Sequence, residues 1–147
     1  MKKLILYLED DANMRSHTAS FLEEDGYKVE MFQRIDQVKE YFAEHHKEIN
    51  CIVTDLNMSD EWLDEYQGES DGCILSGWVW LQHYVYTIMP NIPTIIYSGY
   101  IPYLEDYLRK NHKINLYTRE NLYFVDKGGE ENESFEGLKK ALENIFK

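Results

Sequence analysis

Residues 51–55 read CIVTD, a continuous run of strand-forming residues that ends in the carboxylate of Asp55. Residues 4–11 read LILYLEDD, a second such run, and it ends in three consecutive acidic residues. A strand that is covered on both faces of a parallel sheet reads as a continuous apolar run, whereas a half-buried strand alternates. We therefore expect both runs to be central strands of a sheet with helices on its two faces.

Three further runs of strand length are separated from these two by helical patterns. The five predicted strands are Leu4–Leu8, Tyr27–Met31, Cys51–Thr54, Thr94–Tyr97 and Leu122–Val125. Apolar residues at a 3.6-residue period follow each strand. Strict alternation of strand and helix predicts an α/β fold with a doubly wound parallel sheet, whose common five-stranded order is 2-1-3-4-5. That order places a ligand crevice at the carboxyl ends of strands 1 and 3.

One acidic segment interrupts the alternation. Residues 59–72 read SDEWLDEYQGESDG and show no sustained helical stripe, so we predict an inserted loop after strand 3. Two interpretations are open: a solvated surface loop, or a lid that closes over Asp55 and is anchored by Trp62, Leu63 and Tyr66. No Pro- or Ser-rich linker divides the chain, so we expect one domain over residues 1–147.

The composition argues against several classes of function. The chain has 27 acidic and 15 basic residues and a formal net charge of −12, and such a surface repels nucleic-acid phosphates and anionic lipid headgroups. We therefore expect no direct nucleic-acid partner. The apolar run at residues 4–8 is too short for a signal peptide or a membrane span. Cys51 and Cys73 lack metal-ligand spacing, which favours a reducing, cytoplasmic location without membrane insertion.

Acidic residues from two neighbouring strands should meet at one edge of this sheet. Glu9 and Asp10 follow strand 1, and Asp55 follows strand 3. Like charges gathered there need a cation, and clustered hard oxygen ligands suit Mg²⁺. An acidic residue after a strand can instead cap the next helix, and we assign that structural role to Asp11.

Two further strand ends point to the same edge, because Ser98 ends strand 4 and Lys127 follows strand 5. An acidic pair, an aspartate, a hydroxyl residue and a lysine, in that order, resemble the site of the receiver domain of two-component response regulators. The resemblance covers essentially the whole chain. It implies the flavodoxin-like (βα)5 receiver fold, with the insertion at residues 59–72 as an addition to it.

The resemblance also implies a metal-binding phosphoacceptor site. Asp55 would be the nucleophile that accepts the phosphoryl group. Asp10 would bind Mg²⁺ directly and Glu9 would act through water. The backbone carbonyl of Asn57 would complete the protein ligands of the ion.

Three more residues take roles by the same resemblance. Ser98 would hydrogen-bond the phosphoryl oxygens, Lys127 would pair with Asp55 or its phosphoryl group, and Phe124 would be the switch aromatic. An aromatic residue in a strand is more often a plain core residue. The family usually places a cis proline after its lysine, whereas this chain has Gly128. A cis bond without proline costs roughly 2.5–4 kcal/mol, so we expect a trans bond and an altered approach of Lys127.

Four tyrosines lie around strand 4 and helix 4, where receivers usually present a partner surface. Either an exposed partner surface or a set of stacked core side chains would explain them. The four are Tyr97, Tyr100, Tyr103 and Tyr107.

Together these features predict a stand-alone response regulator receiver, a phosphoprotein of a phosphorelay and not a turnover enzyme. A histidine kinase or phosphotransfer protein would phosphorylate Asp55, and the resulting population shift would change the affinity for an unidentified downstream protein. One alternative is a degenerate receiver that acts as a phosphorylation-independent scaffold. Another is a Mg²⁺-dependent phosphohydrolase with an aspartyl-phosphate intermediate. Asn57 disfavours the hydrolase, because an amide cannot protonate the leaving group.

Overall fold

The computed structural model describes residues 2–147 and contains a five-stranded sheet in the order β2-β1-β3-β4-β5. All neighbouring strands are parallel, so the predicted doubly wound sheet is confirmed. Met1, the first residue of the predicted domain, lies outside the described residues. The strands are β1 Leu4–Leu8, β2 Lys28–Phe32, β3 Cys51–Thr54, β4 Thr94–Ser98 and β5 Leu122–Asp126.

Five α-helices cover the two faces of the sheet. They are α1 Ala12–Glu24, α2 Ile35–His45, α3 Ser76–Trp80, α4 Ile101–Lys110 and α5 Glu131–Ile145. Helix α3 is short because Leu81–Val85 continue it with the wider turns of a π-helix. Residues 114–118 add a 3₁₀ turn before β5. Within residues 2–147, no helix has the length and apolar character needed to cross a bilayer.

The two central strands lie between two core layers and contribute side chains to both. Every residue of β1 and β3 is buried, as their continuous apolar runs predict. Because successive side chains of a strand point to opposite faces, Leu6 packs with α2, α3 and α4, whereas Ile5 packs with α1 and α5. This double burial fixes the register of β1 against β3 and therefore the relative height of the residues that follow them.

The acidic insertion is more ordered than the sequence predicts. Asp60–Glu69 form a 3₁₀ segment with a left-handed kink at Asp64. The segment packs beside α2 and α3 and not over Asp55. Leu63 is fully buried in the core layer of those helices, and the hydroxyl of Tyr84 donates a hydrogen bond to the Leu63 carbonyl at 2.8 Å. Asp60–Glu69 therefore do not form a lid over Asp55; they form a largely exposed segment that Leu63 anchors in the core.

Non-local contacts of acidic side chains link the insertion to the helices beside it. Asp64 forms an ion pair with Lys39 of α2, and Glu69 Oε1 lies 2.9 Å from His83 Nε2. The His83 ring stacks on Tyr66 with 3.7 Å between ring centroids. These partners lie far away along the chain, so the acidic residues of the segment look unpaired in the sequence.

Replacing Leu63 with Ala should lower the free energy of unfolding by about 2–5 kcal/mol, because it removes a fully buried side chain. Urea denaturation monitored by circular dichroism measures this change. The exposed Glu61→Ala change in the same segment is the matched control and should alter stability by no more than about 0.5 kcal/mol. Equal stabilities for the two variants would show that the insertion does not contribute to the core.

Candidate functional site

An open pocket of about 360 Å³ lies at the carboxyl ends of the central strands. Leu8 pairs with Thr54, so the residues that follow them leave β1 and β3 side by side. The backbone N–H of Asp55 donates to the Leu8 carbonyl at 3.2 Å and extends this register by one residue. The pocket lining includes five predicted site residues: Glu9, Asp10, Asp55, Asn57 and Lys127.

Three of the carboxylates that line this pocket lie close together. Glu9, Asp10 and Asp55 each offer an oxygen, and these oxygens lie within 4.8 Å of one another. Glu9 is buried, whereas Asp10 is exposed. Burial and the nearby charge of Asp55 raise the pKa of Glu9 to about 7, against the opposing effect of Lys127. The site therefore carries more negative charge than its own lysine balances.

Lys127 lies between two of these acids. Its Nζ is 2.7 Å from Asp55 Oδ2, and it also forms an ion pair with Glu9 Oε1. Burial lowers the pKa of Lys127, but the charges of Asp55 and Glu9 outweigh burial and the net shift is upward. The ammonium group therefore stays protonated and supplies positive charge beside Asp55 and Glu9.

The loop that carries Lys127 has an ordinary backbone. Residues 2–147 contain no cis peptide bond, which confirms the expected trans bond before Gly128. The Lys127 N–H donates to the Ser98 carbonyl at 3.2 Å, and the Gly128 N–H donates to Asp126 Oδ1 at 2.7 Å. These bonds attach the loop to β4 and to the end of β5, so Lys127 reaches Asp55 without the proline.

Helix α1 fixes the loop that carries the acidic pair. Asp11 caps the helix, because its Oδ1 accepts a hydrogen bond from the Met14 N–H at 2.9 Å, as predicted. Arg15 Nη1 donates to the Glu9 carbonyl at 3.0 Å. The loop between β1 and α1 is therefore held by the Asp11 cap and by the Arg15 guanidinium.

Two residues that the sequence analysis missed hold the loop after Asp55. The Ser76 hydroxyl accepts a hydrogen bond from the Met58 N–H at 2.9 Å and lies 2.7 Å from the Met58 carbonyl. Gly77 packs so closely that a Cβ there would lie 1.8 Å from the Asp55 carbonyl oxygen. The Ser-Gly pair at the start of α3 is visible in the sequence, but the close approach is a property of the folded chain.

Comparisons with known proteins agree with this geometry. No protein-family model matches the sequence, and no curated protein does. A receiver domain protein from Clostridium thermocellum superposes with a TM-score of 0.61 at 16% identity, covering 97% of this chain and 95% of its own. The receiver domain of the hybrid histidine kinase CckA superposes with a TM-score of 0.63 at 17% identity, covering 98% of this chain and 99% of its own. The non-phosphorylated HemR receiver domain of Leptospira biflexa superposes with a TM-score of 0.65 at 18% identity, covering 98% of this chain and 94% of its own. This chain has the receiver-domain fold.

Two predicted residues of the site do not line the acidic pocket. Among the described residues, the pocket lining does not include Ser98 or Phe124. Ser98 is buried at the end of β4, and its Oγ accepts a hydrogen bond from the Tyr100 N–H at 3.1 Å. Phe124 packs on the α4 side of the sheet and stacks on Tyr117 with 4.1 Å between ring centroids.

The four tyrosines around β4 do not form one surface in this receiver fold. Tyr97 is fully buried in the core layer of α1 and α5. Tyr100 and Tyr103 are about two-fifths exposed, and Tyr107 is partly buried against the opposite core layer. Of the two interpretations, the core side chain applies to Tyr97, because β4 is an interior strand whose side chains alternate between two covered faces.

Proposed function

We propose that this chain is a receiver domain that accepts a phosphoryl group on Asp55 with Mg²⁺ and thereby changes its affinity for a partner protein. The observation that carries the proposal is the position of Asp55 at the end of β3, with two other carboxylates beside it and the Lys127 ammonium 2.7 Å away. Proposed with it are a single domain over residues 1–147, a cytoplasmic location and a histidine kinase or phosphotransfer protein as donor.

The donor set of the pocket fits Mg²⁺. Carboxylate oxygens within 4.8 Å of one another are hard ligands, and Mg²⁺ is usually bound by one or two carboxylates with water completing its shell. Asp10, Asp55 and the carbonyl of Asn57 would hold the ion directly, and Glu9 would act through water. When bound, the ion supplies positive charge that stabilises the phosphoryl oxygens during transfer.

The protein's part in the transfer is to orient and neutralise. A carboxylate oxygen of Asp55 attacks phosphorus, a P–O bond forms, and the P–N bond of the donor phosphohistidine breaks with its electron pair passing to the imidazole. The Leu56 N–H donates to Asp55 Oδ1 at 2.7 Å and Lys127 binds Oδ2, so both oxygens of the nucleophile are held in place. Lys127 also balances the negative charge that the phosphoryl group brings.

Ser98 and Phe124 are the proposed link to the partner surface. Ser98 would exchange its hydrogen bond with the Tyr100 N–H for one with a phosphoryl oxygen, which requires the end of β4 to move. Phe124 lies on the neighbouring strand β5, and its present packing against Tyr117 and the α4 side of the sheet would change. A population shift of this kind needs only a difference in partner affinity between the two states.

Chemical labelling tests the proposal directly. The chain is incubated with acetyl phosphate and Mg²⁺, and the modified residue is located by peptide mass spectrometry. We expect a hydroxylamine-labile label on Asp55 that EDTA prevents. A label on another residue, or none with Mg²⁺ present, would contradict the proposal. In that case, absence of Mg²⁺ binding would favour the scaffold, and sustained phosphatase turnover would favour the hydrolase.

Removing the site lysine should tighten Mg²⁺ binding. In Lys127→Ala, Glu9 and Asp55 lose their shared counterion, so the metal-free fold is destabilised and a divalent cation takes over the charge balance. A nearby unit charge changes such an affinity by about 1–2 kcal/mol, or roughly tenfold. The measurement is the Mg²⁺-induced rise in melting temperature, which should be larger for Lys127→Ala than for the wild type. The exposed Lys140→Ala change is the control, and an equal rise in all three proteins would refute the assigned charge balance.

A further inference from the structure

Lys127 also lies over an aromatic ring. Its Nζ is 5.4 Å from the ring centroid of Tyr97. Tyr97 is fully buried and the Lys127 side chain is only 12% exposed, so little water screens the contact. An ammonium within about 6 Å of a ring centroid is attracted by the negative face of the ring, and the attraction is larger when the pair is desolvated.

The Tyr97 ring is itself held by helix α5. Its hydroxyl donates to Ser134 Oγ at 2.8 Å, and Ser134 Oγ donates in turn to the Glu131 carbonyl at 2.9 Å. Ser134 is buried, and these bonds lie in the first turn of α5. The ring is therefore packed in the core layer of α1 and α5, with its hydroxyl bonded to α5, and its position does not depend on the loop after β5.

Hydrogen bonds hold the backbone of that loop at Lys127 and Gly128, but they do not involve the Lys127 ammonium. Gly128 and Gly129 follow the lysine, and Gly129 adopts a positive φ of 98°. Glycine fixes the backbone less than any other residue, so the position of the ammonium depends on the groups around it. Glu9 and Asp55 attract it by their charge, and the Tyr97 ring attracts it by its negative face.

We propose that Tyr97 is a positioning residue for the phosphoryl-transfer site, holding the Lys127 ammonium against Asp55 through the face of its ring. The inference rests on the proposed function and adds a residue to it. Tyr97 touches neither the acceptor oxygen nor the metal ligands in this role, and it acts only through Lys127. The chain thus supports its lysine with a ring from β4 where its loop has two glycines.

A pair of substitutions separates the ring from the hydroxyl. Tyr97→Phe keeps the ring and loses the hydrogen bond to Ser134, whereas Tyr97→Leu loses both. We expect the initial rate of labelling by acetyl phosphate to fall about tenfold in Tyr97→Leu and to stay within about threefold of wild type in Tyr97→Phe. A merely structural role through the hydroxyl would lower both rates together, and that result would overturn the proposal.

A spectroscopic measurement keeps the inference testable if Tyr97→Leu does not fold. Protons on the Lys127 Cε should show an upfield ring-current shift in the wild type that Tyr97→Phe retains. A Lys127 signal at its random-coil position in the wild type would refute the contact. Wild-type protein that shows the ring-current shift but takes up no phosphoryl group would refute the proposed function while leaving the contact established.

Discussion

Replacing Asp55 with Asn is expected to abolish phosphoryl uptake from acetyl phosphate, a fall on the order of a thousandfold or more. The amide group lacks the charged oxygen that attacks phosphorus, and no other described carboxylate has the same surroundings. Glu9 is buried and paired with Lys127, and Asp10 is exposed without a bond to the lysine. The measurement is the initial rate of label incorporation with Mg²⁺ present, followed by intact-protein mass spectrometry.

The matched control for this change is Asp11→Asn. It removes one negative charge beside the same pocket, but Asn caps a helix about as well as Asp, so α1 should remain intact. We expect this variant to keep its uptake within a few-fold of wild type. Persistent labelling in Asp55→Asn, or an equal loss in both variants, would show that Asp55 is not the acceptor and that only the net charge of the pocket matters.

Much of the architecture could be predicted because it depends on local pattern. The runs at β1 and β3 are continuous since both faces of each strand are covered, and this alone identified the centre of the sheet. Parallel strands bring their carboxyl ends to one edge of the sheet, so the sequence predicts that Glu9, Asp10 and Asp55 lie close together, as they do. Chain direction and burial were sufficient for that step.

The packing of the insertion could not be predicted, because the residues that contact it are distant in the sequence. Its acidic residues contact Lys39 on α2 and His83 on the π-helical turn after α3, and its fully buried apolar side chain, Leu63, packs between elements that are distant in sequence. The sequence shows only an acidic segment with two glycines, a composition that is typical of a solvated loop. Tertiary contacts outweigh that composition here.

The orientation of single side chains was a second limit. The sequence placed four tyrosines near β4, but which face Tyr97 occupies depends on the register of an interior strand. Ser98 and Phe124 sit at their predicted strand positions, yet their side chains contact Tyr100 and Tyr117 and not the acidic pocket. Strand position therefore predicts the edge of the sheet a residue reaches but not the contact it makes.

Gly77→Ala is expected to have the largest effect of any small substitution near the site. The added Cβ would lie 1.8 Å from the Asp55 carbonyl oxygen and 2.9 Å from its carbonyl carbon. Both atoms belong to the backbone, so no side-chain rotation relieves the overlap, and either α3 or the end of β3 must shift. We expect a loss of about 3 kcal/mol in the free energy of unfolding, measured by urea denaturation.

The same shift should reach the chemistry, because the atom that the new methyl displaces is the carbonyl oxygen of Asp55, the proposed phosphoacceptor. A displacement of about 1 Å at a reacting group can cost roughly a hundredfold in rate, so uptake by the folded fraction of Gly77→Ala should fall by that order. Gly68→Ala is the matched control, since a Cβ there meets no atom within 4 Å, and both stability and uptake should stay close to wild type. If Gly77→Ala unfolds like wild type and labels at the wild-type rate, the packing of α3 against Asp55 does not hold the acceptor in place. If it is destabilised but labels normally once folded, α3 supports the fold while the bonds from Leu56 and Lys127 are enough to orient the carboxylate.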